Sequence, residues 1–326
     1  LKTVLSLQSG AGGYTHGAVA AGYTPIGAIE LNPKVAEIYR QNLGQITVAN
    51  ILDCKPHKFE RPDLLLLSPS CRSFSIANPK GSENAIDISI ANHITKFIKK
   101  LQPGAIVLEN VESYANSESW RIILANLWHN GYTVQASKHN AADLGAATSR
   151  VRFLARAVKN GTIHPIAKTH GLFLRATQGS EETSGQREAL KPYLGWFEAI
   201  KDLIPNLPAS MLTPAQQKSV QLSQIPVIVE RIGYRDAPKT WPADFPIGTI
   251  RAHLADDGHG GSRTKYLDIW FPQEQIARSI NTTALARLQG FPDGLFWSGR
   301  SADDVRAIGD SVVPLVATRA IESITY

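Results

Sequence analysis

Residues 63–75, DLLLLSPSCRSFS, decide how this chain is read. Four consecutive leucines suit a strand covered on both faces, as in a parallel sheet. The chain then turns through Ser68-Pro69-Ser70 and presents Cys71, beside Arg72, at the carboxyl end of that strand. In open α/β sheets this is the edge where ligands bind. Cys71 is one of only two cysteines in 326 residues. Two cysteines make no disulfide framework, and no CxxC or clustered Cys/His spacing suggests a metal site.

Working outward, the flanking sequence alternates short apolar runs with amphipathic stretches of helical length. Strands are predicted at 2–7, 25–30, 46–49, 63–67, 105–109, 132–137 and 151–157, and helices at 13–21, 33–42, 86–101 and 117–129. This rhythm predicts an α/β fold: a mainly parallel, doubly wound, Rossmann-like sheet with helices on both faces. From 160 to 275 prolines, glycines and polar clusters replace it. A second, smaller, irregular domain is expected there, with a helix at 187–204 as its clearest element. Helices at 282–289 and 311–322 restore order, so the chain divides into 1–159 plus 276–326, and 160–275.

Hydrophobic residues make up 43% and charged residues 19%, the balance of a globular protein. The formal charge of +6 is a mild bias towards polyanions. Residues 7–29 lack Asp, Glu, Lys and Arg, but Gln8, Ser9, Thr15, His16 and several glycines argue against a membrane span. No signal peptide is visible, and the cysteine usage fits a reducing compartment, so a cytoplasmic location is expected.

The first strand runs into SGAGG (9–13), placing Gly10, Gly12 and Gly13 before a helix. Glycines let a backbone approach a ligand closely and aim helix amides at it. The second strand ends in Glu30, where a carboxylate can take two ribose hydroxyls. The third ends near Asn50-Ile51, where a polar side chain can meet an adenine edge. The pattern fits an adenosine-containing cofactor and leaves a dinucleotide and S-adenosylmethionine both open.

Further motifs follow in order: SPSC (68–71), ENV (109–111), TSRVR (148–152), RLQGFPD (287–293) and GDSVVP (309–314). With SGAGG they resemble the DNA (cytosine-5-)-methyltransferase family of the bacterial or phage modification type. SGAGG resembles its cofactor loop, SPSC its Pro-Cys nucleophile, ENV its catalytic glutamate and TSRVR its Gln-x-Arg-x-Arg motif. The last two resemble its C-terminal motifs. The resemblance covers nearly the whole chain apart from the variable stretch of 160–275.

The resemblance implies S-adenosylmethionine as cofactor, with Leu7, Ser9, Gly10, Gly12, Gly13, Glu30, Leu31, Asn50, Ile51, Ser68 and Ser311 as its contacts. It implies double-stranded DNA as substrate, a short recognition site, a monomeric enzyme and a cognate restriction endonuclease as partner. Cys71 becomes the nucleophile that adds to cytosine C6, and Glu109 the acid at ring N3. Arg152 would hold the base at O2, while Arg150 would take the phosphate flanking the extruded nucleotide. Arg72 and Arg152 are expected to raise the thiolate fraction. Arg72, Ser73, Ser75 and Lys80 belong to a loop that closes over DNA. The stretch 160–275 becomes the target-recognition domain, with Arg231, Arg235, Arg251, Arg263 and Lys265 as its DNA contacts.

The chain departs from the family's pattern at Ser70, Thr148, Asn50 and Asp310, the last placing a negative charge near the cofactor's amino-acid end. Two other readings use the same residues: a transfer RNA cytosine methyltransferase, and a catalytically weak DNA-binding regulatory homologue. A nicotinamide oxidoreductase shares the glycine loop but leaves SPSC, ENV and RVR unexplained.

Overall fold

The four leucines of Leu64–Leu67 are fully buried at the centre of a seven-stranded sheet. The computed structural model describes residues 1–74, 82–172, 190–231, 238–251 and 267–326. The sheet is built from β1 (Lys2–Leu7), β2 (Tyr23–Glu30), β3 (Thr47–Val48), β4 (Leu64–Leu67), β5 (Ala105–Asn110), β6 (Thr133–Asn140) and β7 (Val151–Val158). Their spatial order is β3-β2-β1-β4-β5-β7-β6. The first five run parallel, and β7 lies antiparallel between β5 and β6.

Helices cover both faces, which is why β4 carries no polar residue. On one face Leu65 and Leu67 share a core with Ile94, Phe97 and Ile98 of α3 (Ala85–Leu101) and Ile123 and Leu127 of α4 (Glu118–His129). In chain order these follow α1 (Gly13–Ala20) and α2 (Pro33–Leu43). On the other face Leu64 and Leu66 meet Tyr14 and Ala18 of α1 and Val316, Ala317 and Ala320 near the chain's end. The start of α3 is set by a capping box: Asn84 accepts from Ile86 N and Asp87 N, and Asp87 accepts from Asn84 N.

The stretch read as irregular instead contains a second, antiparallel sheet. Its strands are β8 (Ala209–Ser210), β9 (Val227–Glu230), β10 (Thr240–Pro242), β11 (Leu267–Phe271) and β12 (Ile276–Ser279), in the order β8-β12-β11-β9-β10. β12 lies just past the boundary read at 275. Asp268, fully buried in β11, accepts from Ser210 Oγ (2.7 Å), Gln216 Nε2 (2.9 Å), Ser279 Oγ (2.8 Å) and Arg231 Nε (2.8 Å). One carboxylate thereby ties β8, β9, β11 and β12 to the helix at Pro214–Val220.

Of the helix expected at 187–204, only α5 (Trp196–Ile200) forms among the described residues. Lys191–Pro192 is extended, and a Cβ at Gly195 would stand 2.4 Å from Ala243 O. α6 (Pro214–Val220) was not anticipated, whereas α7 (Thr282–Gln289) falls where expected. The expected helix at 311–322 is α9 (Pro314–Glu322), preceded by an unforeseen α8 (Ser301–Asp310). Buried Asp304 of α8 accepts from Ser298 N and Gly299 N, fixing the loop before it. Among the described residues no helix is long and apolar enough to cross a membrane.

Candidate active site

β1 ends at Leu7, whose side chain is buried in the core and whose carbonyl accepts from Ser68 N (3.4 Å). The loop to α1 holds three predicted glycines, and they do different things. A Cβ at Gly12 would stand 2.3 Å from Leu43 Cδ1, and one at Gly13 2.3 Å from Val312 O. These two allow the loop to pack on α2 and on residues 311–312. Gly10, at φ +55°, has no atom within 4 Å of the place a Cβ would take, so it is the glycine that opens outward.

Gly10 N donates to Glu30 Oε2 (3.0 Å) and Asn32 N to Glu30 Oε1 (2.9 Å), which fixes the carboxylate at the end of β2. Ser9 N donates to Ile29 O (2.9 Å). Between Leu7 and Ser9, Gln8 holds a left-handed φ of +58° and buries its Oε1 with no donor. Asn50 is exposed and caps a short turn, Ile51–Asp53, by accepting from Leu52 N (3.1 Å). Ile51 is buried and Leu31 largely exposed. An open glycine, a fixed carboxylate and an unmet buried acceptor suit a ligand that brings ribose hydroxyls and amino groups as donors. Ser311 Oγ is not available as predicted: it is buried and donates to Ala307 O (2.7 Å).

The loop after β4 carries Cys71 to the carboxyl edge beside β5. Asn110 Nδ2, at the end of β5, donates to Pro69 O (2.8 Å), and Phe74 N donates to Cys71 O (3.0 Å). Asn110 thus positions the loop that carries Cys71. The motif ENV contained it, but side-chain direction was not legible there. Ser68, expected at the cofactor, instead donates through Oγ to Glu109 Oε2 (3.5 Å). Glu109 is buried, and Arg152 Nε lies 3.1 Å from its Oε1.

The electrostatics correct one expectation. Burial pushes the Cys71 thiol up, Asp310 and Glu109 push it further, and Arg152 and Arg150 only partly oppose them. Arg152 acts in the expected sense, but burial and the two carboxylates outweigh it. Burial also raises the Glu109 carboxyl, against Arg152, Arg150 and Ser68. Tyr14, which the sequence did not single out, is buried with its hydroxyl unpartnered and feels the Glu109 charge.

Three predicted DNA contacts are committed elsewhere. Arg150 is buried, donating from Nη1 to Ile250 O (2.9 Å) and from Nη2 to Gly309 O (3.0 Å), so it does not face a phosphate. Arg231 grips Asp268, and Arg251 Nη2 donates to Glu230 Oε1 (2.9 Å). Ser73 Oγ accepts from Asn84 Nδ2 (3.0 Å), tying the described start of the loop to the cap of α3. Arg72 is exposed next to Cys71. Ser75, Lys80, Arg235, Arg263 and Lys265 lie outside the described residues. Among the described residues no group of three His, Cys, Asp or Glu side chains is placed to hold a metal.

Comparison with known proteins agrees with this geometry. The family described as C-5 cytosine-specific DNA methylase matches residues 2–326. The Type II methyltransferase M.NgoFVII of Neisseria gonorrhoeae is 26% identical, over 98% of this chain and 86% of its own length. The Type II methyltransferase M.AplI of Arthrospira platensis is 26% identical, over 98% and 85%. The crystal structure of the S. pombe Dnmt2 methyltransferase superposes with a TM-score of 0.65 at 18% identity, covering 99% of this chain and 98% of that one.

Proposed function

The chain belongs to the C-5 cytosine-specific DNA methylase family, and from that premise we propose that it methylates C5 of cytosine in double-stranded DNA through a covalent Cys71 adduct. The observation that carries the reading is the convergence of Cys71, Glu109 and Arg152 where the carboxyl ends of β4 and β5 meet the amino end of antiparallel β7. S-adenosylmethionine, when bound, supplies an electrophilic methyl group on a positively charged sulfur. Ser9, Gly10, Glu30 and Asn50 are the residues that would hold it, with Gln8 Oε1 as a further acceptor.

Cytosine C5 is a weak nucleophile, so the ring has to be activated. Cys71, once its proton has passed to water, adds to C6 as the thiolate and pushes an electron pair towards C5. Glu109, whose hold on its proton burial strengthens, donates to ring N3 and draws off the charge that the addition brings. Arg152 orients Glu109 and offers the rest of its guanidinium to O2. After methylation the C5 proton leaves to water, the pair of the Sγ–C6 bond returns to sulfur and the N3 proton returns to Glu109, restoring the aromatic ring, the thiolate and the acid. The target base has to leave the helix to reach Cys71, at a cost of a few kcal/mol, roughly that of unstacking one base.

We assign residues 1–159 and 280–326 to the catalytic unit, and the segment with the antiparallel sheet, up to Ser279, to recognition of the target sequence. The Type II designation of the relatives supports a place in a restriction–modification system, with a cognate endonuclease as partner. The decisive experiment incubates the protein and S-adenosylmethionine with DNA containing 5-fluorocytosine. Fluorine blocks the final elimination, so a denaturation-resistant adduct mapping to Cys71 is expected. An adduct on transfer RNA but not on DNA would move the substrate to RNA. No adduct on either, with cofactor bound, would overturn the reading.

A further inference from the structure

Asp310 sits in a segment clamped from both sides. Gly309 O accepts from Arg150 Nη2 (3.0 Å), and Ser311 O accepts from Gln289 Nε2 (3.0 Å). Ser311 Cβ and Val312 O press so closely on Gly13 that a Cβ there would lie 3.1 Å and 2.3 Å from them. Gly309 and Ser311 are buried while Asp310 between them is exposed. It is the last residue of α8, a carboxylate at the end of a helix whose dipole disfavours negative charge. One clamp leads to the arginine that feels Cys71 and Glu109, the other to Gln289 of α7, and the packing of residues 311–312 leads to the glycine loop. The carboxylate therefore stands where the nucleophile end of the cleft meets the cofactor end.

We propose that Asp310 selects the positively charged methyl donor over the neutral thioether left after transfer, and couples the donor's arrival to the reactivity of Cys71. The inference rests on the reading that S-adenosylmethionine binds this cleft. In the transfer, the new C5–CH3 bond uses the electron pair of the activated ring, and the pair of the S–CH3 bond stays on sulfur. One positive charge is consumed. The carbon that receives the methyl is the neighbour of the carbon that Cys71 attacks, so the positive sulfur has to come to the thiol's end of the cleft. A carboxylate at that end attracts the sulfonium charge of the donor, which the product lacks.

The same carboxylate acts on Cys71. The groups facing the thiol are Asp310 and Glu109, which raise it, and Arg152 and Arg150, which lower it, on top of burial. A cation brought beside Asp310 offsets one of the raising charges and lets the thiolate form. The nucleophile is then restrained until a methyl donor is in place.

Calorimetric titration of wild type and Asp310→Asn with S-adenosylmethionine and with S-adenosylhomocysteine tests the selection. The variant should bind both, with the preference for the charged ligand reduced about tenfold, equivalent to ~1.4 kcal/mol. Asp310→Glu, which keeps the charge, should retain the preference. The coupling is read from iodoacetamide alkylation of Cys71 against pH, followed by mass spectrometry to separate it from Cys54. Asp310→Asn should lower the midpoint in the ligand-free protein, and S-adenosylmethionine should lower it more in wild type than in the variant. An unchanged preference, or an unchanged ligand-free midpoint, overturns the inference while leaving the methyltransferase reading intact. If wild type binds neither ligand, the cofactor reading itself falls.

Discussion

Arg152 Nε and Glu109 Oε1 are 3.1 Å apart in a setting nearly closed to water, yet burial still outweighs the arginine and leaves the carboxyl above its ordinary range. An acid that has to give a proton near neutral pH needs that balance: enough burial to stay protonated, and a cation to receive the carboxylate once the proton has moved.

Glu109→Gln keeps the size and one donor but has no proton to transfer. Its methyl-transfer rate should fall by about 10²-fold or more, with DNA affinity little changed. Single-turnover transfer of a labelled methyl group measures it. A wild-type rate would mean that another group activates the ring.

Cys71→Ser should abolish methyl transfer and the 5-fluorocytosine adduct while S-adenosylhomocysteine still binds, as calorimetry would show. Retained turnover would rule out the covalent route.

Arg150→Met should act on stability. It leaves Ile250 O and Gly309 O without their donors, which should cost about 2–4 kcal/mol for two buried carbonyls. Urea unfolding gives the loss. The slope of DNA affinity against salt should not change, whereas losing a phosphate contact would reduce it by about one ion.

Arg231→Ala should leave the buried Asp268 without its cation and destabilise the fold by about 3–5 kcal/mol. Asp268 is held below its usual range by hydrogen bonds from Arg231, Gln216, Ser210 and Ser279, against the opposing effect of burial. Its stabilisation is therefore present above the unfolded value near ~3.9 and lost as pH falls through the lower folded value. Unfolding measured between neutral and acid pH should show a shallower acid loss in the variant.

His16 is buried against Phe291, with ring centroids 5.8 Å apart and Nε2 unpartnered, and burial lowers its pKa to about 4. A base lowered by folding stabilises the native state above its unfolded pKa of ~6.5, and that stability disappears as pH falls towards the folded value. The loss amounts to about 3 kcal/mol across that window. In His16→Gln this limb should vanish from the stability–pH curve, and its persistence would point to another group.

The catalytic half of the fold was legible because its signals are local. LLLL between turn residues, and α3's Ala91, Ile94, Phe97, Ile98 and Leu101 at helical spacing, each name their element without help from distant sequence. The second sheet was not, since β8, with two residues, and β9, with four, carry too few positions for a period to emerge. Its centre is a buried carboxylate that takes partners from four separate places. Arg150 and Arg152 share one motif, and only the paths of residues 250 and 309 decide that Arg150 is a tether. Asp310 was visible as a departure from the family's pattern, but its reach to Cys71 depends on a clamp made by residues far apart in sequence.

α1 and α9 cross so tightly that a Cβ at Gly17 would stand 2.4 Å from both Ala317 Cβ and Pro314 O. Tyr326 adds contacts to Tyr23 and to the Asp63 carbonyl. During synthesis, then, the part of this face of the central sheet that α1 leaves open waits for a partner made some three hundred residues later. The contact order is high, and an apolar surface stays uncovered until the last helix emerges. A chain stalled before Pro314 would present that face to chaperones and proteases, so methylation competence should appear only after residues 314–326 have been made.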